Sequence, residues 1–228
     1  MVINNTRYSS EIIYKLIKWQ PYCDWFKFFC GSKCQINRIT LQGAILRDDE
    51  SLYSAYIEVH LFTPENQSLI RSILIRGSGC VVIPYFYNST SINFVMVKQR
   101  RIQSGDFTYE FPSGKIEDCS KPNFSAALEL SEETGINIQP ECLRLLAKDI
   151  VVCESAFDEQ VTWYSCEISE KDYLKNLNSH HGIKEDGEHI TIHALTFDAL
   201  KEINSFQVKT ALQLLLENQI INLGAMKN

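Results

Sequence analysis

Alternation of hydrophobic and polar positions runs through much of the chain and predicts a protein rich in β-strands. A period of two residues is typical of strands with one buried face, and short apolar runs between turn residues indicate buried strands. Polar, turn-forming residues such as Asp48-Asp49-Glu50 and Pro64-Glu65-Asn66 separate these segments. The predicted strands are residues 39–46, 53–62, 69–76, 79–87, 92–98, 107–111, 143–152, 160–168 and 188–194.

Three segments follow helical spacing instead. Residues 10–29 predict one or two short helices that are broken near Pro21. Residues 123–133 predict a helix because Pro122 precedes them and Gly135 lies where a helix ends. Residues 208–219 predict a final amphipathic helix. Because strands and isolated helices follow one another without regular βαβ alternation, we expect an α+β fold with a mixed sheet.

Composition and charge narrow the classes of function. Hydrophobic residues make up 45% of the chain, which is enough for a buried core. The net charge of −6 argues against binding of long nucleic acid but allows a single nucleotide. There is no apolar run of about 18 residues and no signal-peptide pattern, so we expect no membrane span and a cytoplasmic protein. Of the eight cysteines only Cys30 and Cys34 are close, which predicts free thiols rather than a zinc site.

The helix at 123–133 carries an acidic cluster. Glu129, Glu132 and Glu133 are spaced so that one helical face presents all three carboxylates. Such carboxylates repel one another unless a cation lies among them, and a hard divalent ion such as Mg²⁺ or Mn²⁺ prefers oxygen ligands. The alternative is a solvated acidic face without a metal.

The frame around this cluster resembles the Nudix box. Gly114 begins the pattern, and the segment Glu129-Leu-Ser-Glu-Glu-Thr-Gly-Ile136 ends it at the family's spacing. The resemblance implies a Nudix fold, in which helices sandwich a mixed β-sheet. It also implies that Glu129, Glu133 and the Ser113 carbonyl hold the metal and that Glu132 takes part in catalysis.

Two positions depart from the box pattern. Ser120 replaces the first glutamate and Leu128 replaces the arginine, and in the family these two side chains pair with each other. Loss of both side chains costs less free energy than loss of one, because a buried charge without its partner is costly. We expect an apolar contact between Leu128 and Phe124 to have replaced the ion pair, so that an arginine at position 128 would be destabilising.

Segments before and after the box are similar to the ADP-sugar and ADP-ribose pyrophosphatase branch of the family. They are Lys98-Gln-Arg-Arg101, Tyr109-Glu-Phe-Pro-Ser-Gly114 and Cys153-Glu-Ser-Ala-Phe-Asp-Glu-Gln160. The resemblance implies that Arg101 holds substrate phosphate and that Glu110 contacts the substrate or the metal shell. Glu159 is then the candidate general base, with Glu154 in reserve. Arg101 as an ordinary strand-end charge and Glu159 as a solvated loop acid remain the alternatives.

These observations predict two regions and one reaction. Residues 1–76 would form a helical lead and a β-rich dimerisation region, and residues 77–228 a Nudix hydrolase domain. The expected reaction is metal-dependent hydrolysis of the pyrophosphate of a nucleoside-diphosphate sugar, by a homodimer. Ser120 and Leu128 motivate an alternative, a catalytically impaired nucleotide-binding or regulatory module. An RNA-cap hydrolase is disfavoured by the acidic charge and the lack of a basic stripe.

Overall fold

The computed structural model describes residues 2–4, 8–89, 91–182 and 189–221. The chain divides into two compact units. The first unit combines Met1–Ser78 with Val151–Gln160, and the second combines Gly79–Ile150 with Val161–Asn228. No feature of the sequence indicated that Val151–Gln160 belongs with the first unit.

The first unit is a four-stranded sheet with two helices. The predicted helical lead forms two helices, α1 (Ser10–Lys18) and α2 (Gln20–Cys30). Pro21 lies in the first turn of α2, where its missing N–H costs no helical hydrogen bond, so the predicted break is confirmed. The strand order is β1 (Val2–Asn4), β2 (Gln35–Leu46), β3 (Leu52–Phe62) and β4 (Ser68–Ile75).

One face of this sheet forms the core of the first unit. Side chains from alternate strand positions, including Ile39, Leu41 and Ile57, are buried together with Leu16 of α1 and Tyr22 of α2. The prediction of a dimer rested on the expectation that these strands could not bury their own faces. The two helices bury one of those faces. Tyr56, Phe62 and Ile70 are still exposed.

The second unit contains a mixed seven-stranded sheet. Its strands are β5 (Gly79–Tyr87), β6 (Ile92–Arg100), β7 (Phe107–Glu110), β8 (Ser113–Lys115), β9 (Arg144–Val151), β10 (Gln160–Glu167) and β11 (Thr191–Thr196). The main path runs β11-β6-β5-β10-β9, while β7 pairs with β6 and β8 pairs with β5. β10 is parallel to β5, whereas β6 is antiparallel to β5, β7 and β11.

Helices flank this sheet. The face that carries Val82, Val95 and Val97 is buried with Ala126 and Leu130 of the third helix. On β6 the intervening residues Phe94 and Met96 are also fully buried, so apolar side chains cover both faces of its middle. The helices are α3 (Pro122–Thr134), α4 (Glu170–Asn176), α5 (Phe197–Lys201) and α6 (Phe206–Glu217), with a short 3₁₀ turn at Pro140–Cys142.

The structure confirms the α+β class and most predicted elements. The prediction missed the short elements β1, β8, α4 and α5, which have three, three, seven and five residues and are too short to show a periodicity. Two predicted features, the turn at Thr90 and the strand start at Glu188, fall on positions outside the described residues. Within the described ranges, no helix has the length and apolar character needed to cross a bilayer.

Candidate active site

Helix α3 supplies the acidic residues of the candidate site, and local sequence determines where it ends. Gly135 adopts a left-handed conformation with φ of 70°, and its N–H donates to the Ser131 carbonyl. Glycine reaches this conformation without steric cost, so the helix ends at Thr134. Glu129 and Glu133 consequently lie one turn apart, near the end of a helix whose Leu130 is fully buried in the core.

Glu129 lies directly against the backbone of Gly114. A Cβ placed on Gly114 would be 1.8 Å from Glu129 Oε1 and 2.3 Å from its Oε2. No side chain larger than hydrogen fits at position 114 while the carboxylate keeps this place. Gly114 belongs to β8, which pairs with β5, so the sheet holds the glycine in position under the carboxylate.

Glu133 is tied to the neighbouring residue of the same strand. Its Oε2 accepts a hydrogen bond of 2.9 Å from the Ser113 N–H, and only 5% of the residue is exposed. A buried carboxylate is costly without hydrogen bonds or a cation, so this bond accounts for part of its stabilisation. Both glutamates therefore reach residues 113 and 114, as the predicted metal site requires.

The pKa of the Cys80 thiol is affected by both carboxylates. Burial, together with the negative charges of Glu129 and Glu133, raises the pKa of Cys80 to about 12. Cys80 pairs with Gly114 across β5 and β8, and its Sγ donates to the Gly114 carbonyl at 3.6 Å. The start of β5 is thus the place where the two carboxylates converge.

These residues provide an oxygen donor set that fits Mg²⁺. This ion is commonly bound by one or two carboxylates, with waters and substrate phosphates completing its coordination. Glu129 and Glu133 supply two carboxylates and Ser113 a main-chain carbonyl, whereas no group of three or more His, Cys, Asp or Glu side chains with metal-binding geometry occurs in the described ranges. For Glu132 the structure gives a main-chain contact, in which its carbonyl accepts from the Gly182 N–H at 3.0 Å.

Arg101 and Glu110, the two predicted substrate-binding residues, form a bidentate ion pair. Arg101 Nε lies 2.9 Å from Glu110 Oε1, and Nη2 lies 2.7 Å from Oε2. Burial by itself would raise the pKa of Glu110, but hydrogen bonds from Arg101 and Thr108 hold it below its ordinary value. The Arg101 side chain remains 42% exposed, so the pair presents a positive group at the end of β6.

Glu159 lies in the segment that packs with the first unit. Its Oε2 is 3.7 Å from Arg76 Nη1, and its side chain is 18% exposed. The adjacent Asp158 accepts hydrogen bonds from the Arg76 and Gly77 backbone N–H groups, at 2.8 Å and 3.2 Å. The loop before β10 is therefore an anchored segment, and the alternative of a freely solvated Glu159 is disfavoured.

The two departures from the box lie at the surface. The N–H and the hydroxyl of Ser120 both donate to Asp118 Oδ1, at 2.9 and 2.6 Å. Leu128 is 57% exposed and Phe124 is 50% exposed. This corrects our expectation of a partly buried apolar brace, because a charge at position 128 would remain in contact with water.

Three residues near the candidate groups were not assigned a role from the sequence. Arg76 and Asp158 organise the Glu159 loop, but their contacts join positions about 80 residues apart and leave no local signal. Gln99 is 5% exposed on β6, and its Nε2 has no protein hydrogen-bond partner within the described part of the chain. Its place two residues before Arg101 was the signal that could have identified it.

Comparison with known proteins supports the fold. No family model matches the sequence. The chain matches 175 chains of solved structures, and these include the crystal structure of an ADP compounds hydrolase. It aligns with a TM-score of 0.60 over 83% of this chain and 95% of that chain, with 15% sequence identity. At this identity the likeness is evidence of a common fold, and the predicted α+β fold, with a mixed sheet flanked by helices, is confirmed.

Proposed function

We propose that this protein hydrolyses the pyrophosphate of a nucleoside-diphosphate sugar, of the ADP-ribose or ADP-glucose type, with Mg²⁺ or Mn²⁺. One observation carries the proposal: the carboxylates of Glu129 and Glu133 converge on the backbone of Ser113 and Gly114. Two carboxylates that converge on neighbouring backbone positions, one of them buried, favour a cation between them over two solvated charges. The fold shared with a solved ADP compounds hydrolase agrees with this substrate class.

Each residue would have a distinct task. Glu129, Glu133 and the Ser113 carbonyl would hold the ion, which when bound supplies positive charge for the pyrophosphate oxygens and lowers the pKa of a water. Arg101, oriented by its two bonds to Glu110, would bind a phosphate through the exposed part of its guanidinium. Glu132, on the same helix, would assist the reaction.

Glu159 is the proposed general base. A base must be ionised to accept a proton from the attacking water, and the Arg76 guanidinium lies 3.7 Å from this mostly buried carboxylate. The products would be a nucleoside monophosphate and a sugar phosphate.

The first experiment measures AMP released from ADP-ribose and ADP-glucose with Mg²⁺, with Mn²⁺ and with EDTA. Glu133→Gln retains size and removes a charge, so we expect kcat to fall about 10²-fold or more with little change in the unfolding midpoint. Glu141→Gln, at an exposed position in the 3₁₀ turn, is the matched control and should be as active as wild type. Unchanged activity in Glu133→Gln would refute the metal assignment.

The second experiment separates the base from the ligands. Glu159→Gln should lower kcat while Mn²⁺ affinity, measured by calorimetry, stays within about twofold of wild type. If Mn²⁺ affinity and rate decrease together, Glu159 is a ligand and another group is the base.

The alternative function is a nucleotide-binding module without turnover, and it is favoured by the loss of the family's pair at Ser120 and Leu128. It predicts ADP-ribose binding by calorimetry with no AMP released under any metal condition. Because both positions lie at the surface, while the carboxylates contact Ser113 and Gly114, we favour the enzyme.

A further inference from the structure

Strands β6, β7 and β11 carry a cluster of cationic and aromatic side chains that the proposed reaction does not use. We call it the cation–aromatic surface, formed by Lys98, Arg100, Phe107, Tyr109 and His193. Strand register places Lys98 opposite Tyr109 and Arg100 opposite Phe107, while His193 is opposite Met96, two residues before Lys98. Because side chains of alternate residues point to the same face, all five share one face of the sheet.

Close contacts join the members of this surface. Arg100 Cζ is 4.4 Å from the centroid of the Phe107 ring, and Lys98 Nζ is 5.2 Å from the same centroid. Lys98 Nζ is also 5.5 Å from the Tyr109 ring, which meets His193 edge-on at 5.3 Å. These distances are within the range of cation–π and aromatic interactions.

The predicted substrate-binding residues, Arg101 and Glu110, lie on the other face. Glu110 pairs with Val97, and adjacent residues of a strand point to opposite faces, so Glu110 faces away from Tyr109 and Lys98. Arg101 follows Glu110 to that other face through their bidentate pair. A ligand on the cation–aromatic surface therefore would not compete with one held by Arg101.

The charges of this surface are uncompensated. Neither Lys98 nor Arg100 forms an ion pair with a carboxylate in the described part of the chain; Arg100 Nη1 instead donates to the Gly105 carbonyl. The neighbouring acid in sequence, Asp106, accepts from the Phe107 N–H at 2.7 Å. Burial and the charge of Lys98 lower the pKa of His193, so its ring is neutral at pH 7. In a chain of net charge −6, two cations without carboxylate partners mark a positive patch.

We propose that the cation–aromatic surface binds a nucleotide, with phosphates on Lys98 and Arg100 and the base against the Phe107 ring. Phe107 is 48% exposed and Arg100 is exposed, so the ring and the guanidinium are both accessible. Cations beside accessible aromatic rings are the groups with which proteins bind phosphates and stack bases. Two cations suit one nucleotide, whereas a long nucleic acid requires a larger basic stripe.

Calorimetric titration of the full chain with ATP in EDTA tests this proposal without hydrolysis. Arg100→Gln and Phe107→Leu should each weaken ATP binding about tenfold, because they remove a phosphate contact and a stacking surface respectively. Asp106→Asn keeps an acceptor for the Phe107 N–H and removes a negative charge, so it should tighten binding about twofold. Thermal unfolding of each variant establishes that the fold is retained.

Variants of the other face provide the decisive comparison. Glu133→Gln and Arg101→Gln should bind ATP like wild type if the nucleotide occupies the cation–aromatic surface. Loss of binding in these variants but not in Arg100→Gln would place ATP at the catalytic face and overturn the proposal, as would no measurable binding at millimolar ATP. Tripolyphosphate or hexaglutamate binding as tightly as ATP would show a general anion site and also overturn it. This proposal does not depend on the proposed hydrolysis. A protein that binds ATP on this surface and releases no AMP would support nucleotide binding here and refute the hydrolysis.

Discussion

Replacement of Gly114 by alanine should disturb the candidate metal site and leave the fold intact. The added Cβ would lie 1.8 Å from Glu129 Oε1, whereas ordinary contact begins at 3.4 Å, so this oxygen must retreat by about 1.6 Å. The obstructing atoms are the far end of a flexible side chain, and the φ of Gly114 is not among the positive values found for other glycines. Alanine can therefore adopt the backbone conformation while the carboxylate moves.

The expected effect is large on activity and small on stability. A displacement of about 1 Å in a catalytic group costs on the order of 10²-fold in rate, so we expect kcat for AMP release in Gly114→Ala to fall at least about 10²-fold. The free energy of unfolding should change by less than about 1 kcal/mol, because no buried backbone group has to shift. Gly43→Ala is the control, since its Cβ would meet Tyr56 Cβ at an ordinary 3.6 Å.

A double-mutant cycle tests whether the effect passes through Glu129. If alanine acts only by displacing this carboxylate, then Gly114→Ala added to Glu129→Gln should lower kcat no further than Glu129→Gln alone. Steady-state rates and urea unfolding of the four proteins measure both quantities. Full activity in Gly114→Ala, or strictly multiplicative losses in the double mutant, would refute the reasoning.

Three further predictions concern stability and assembly. Leu128→Arg should change the free energy of urea unfolding by no more than about 0.5 kcal/mol, because this leucine is 57% exposed; a loss above about 1 kcal/mol would show that position 128 still contacts a buried group. Glu110→Gln should destabilise the protein by about 1–2 kcal/mol at pH 7, because one partner of the pair with Arg101 is lost. The lowered pKa of Glu110 means that the pair stabilises the fold above the unfolded-state value of 4.5 and less as pH falls below it. Urea titrations should therefore show the wild-type advantage shrinking below pH 4.5, and a constant advantage would contradict the assignment. Light scattering should give twice the chain mass of 26.2 kDa. Ile70→Lys, on the exposed sheet face, should lower the measured mass toward that of a single chain.

Local patterns in the sequence were sufficient to predict most elements. A strongly apolar run predicted β5 with its observed bounds, and Pro122 and Gly135 located α3 to within one residue at each end. These features depend on interactions within a few residues, such as the left-handed cap at Gly135. The same is true of the spacing that puts Glu129 and Glu133 on one helical face.

The three-dimensional arrangement was needed wherever a residue depends on a distant one. Exposure of Leu128 is set by how α3 turns its faces toward the sheet, and the sequence around Leu128 does not encode that angle. The need for glycine at 114 became evident when Glu129 was found against its Cα, and the Arg76–Glu159 pair joins segments far apart in the chain. The sequence alone determined which residues could supply carboxylates and which segments would become strands and helices. Tertiary structure decided which of those groups meet, because a pairing between distant residues is a property of packing rather than of local propensity.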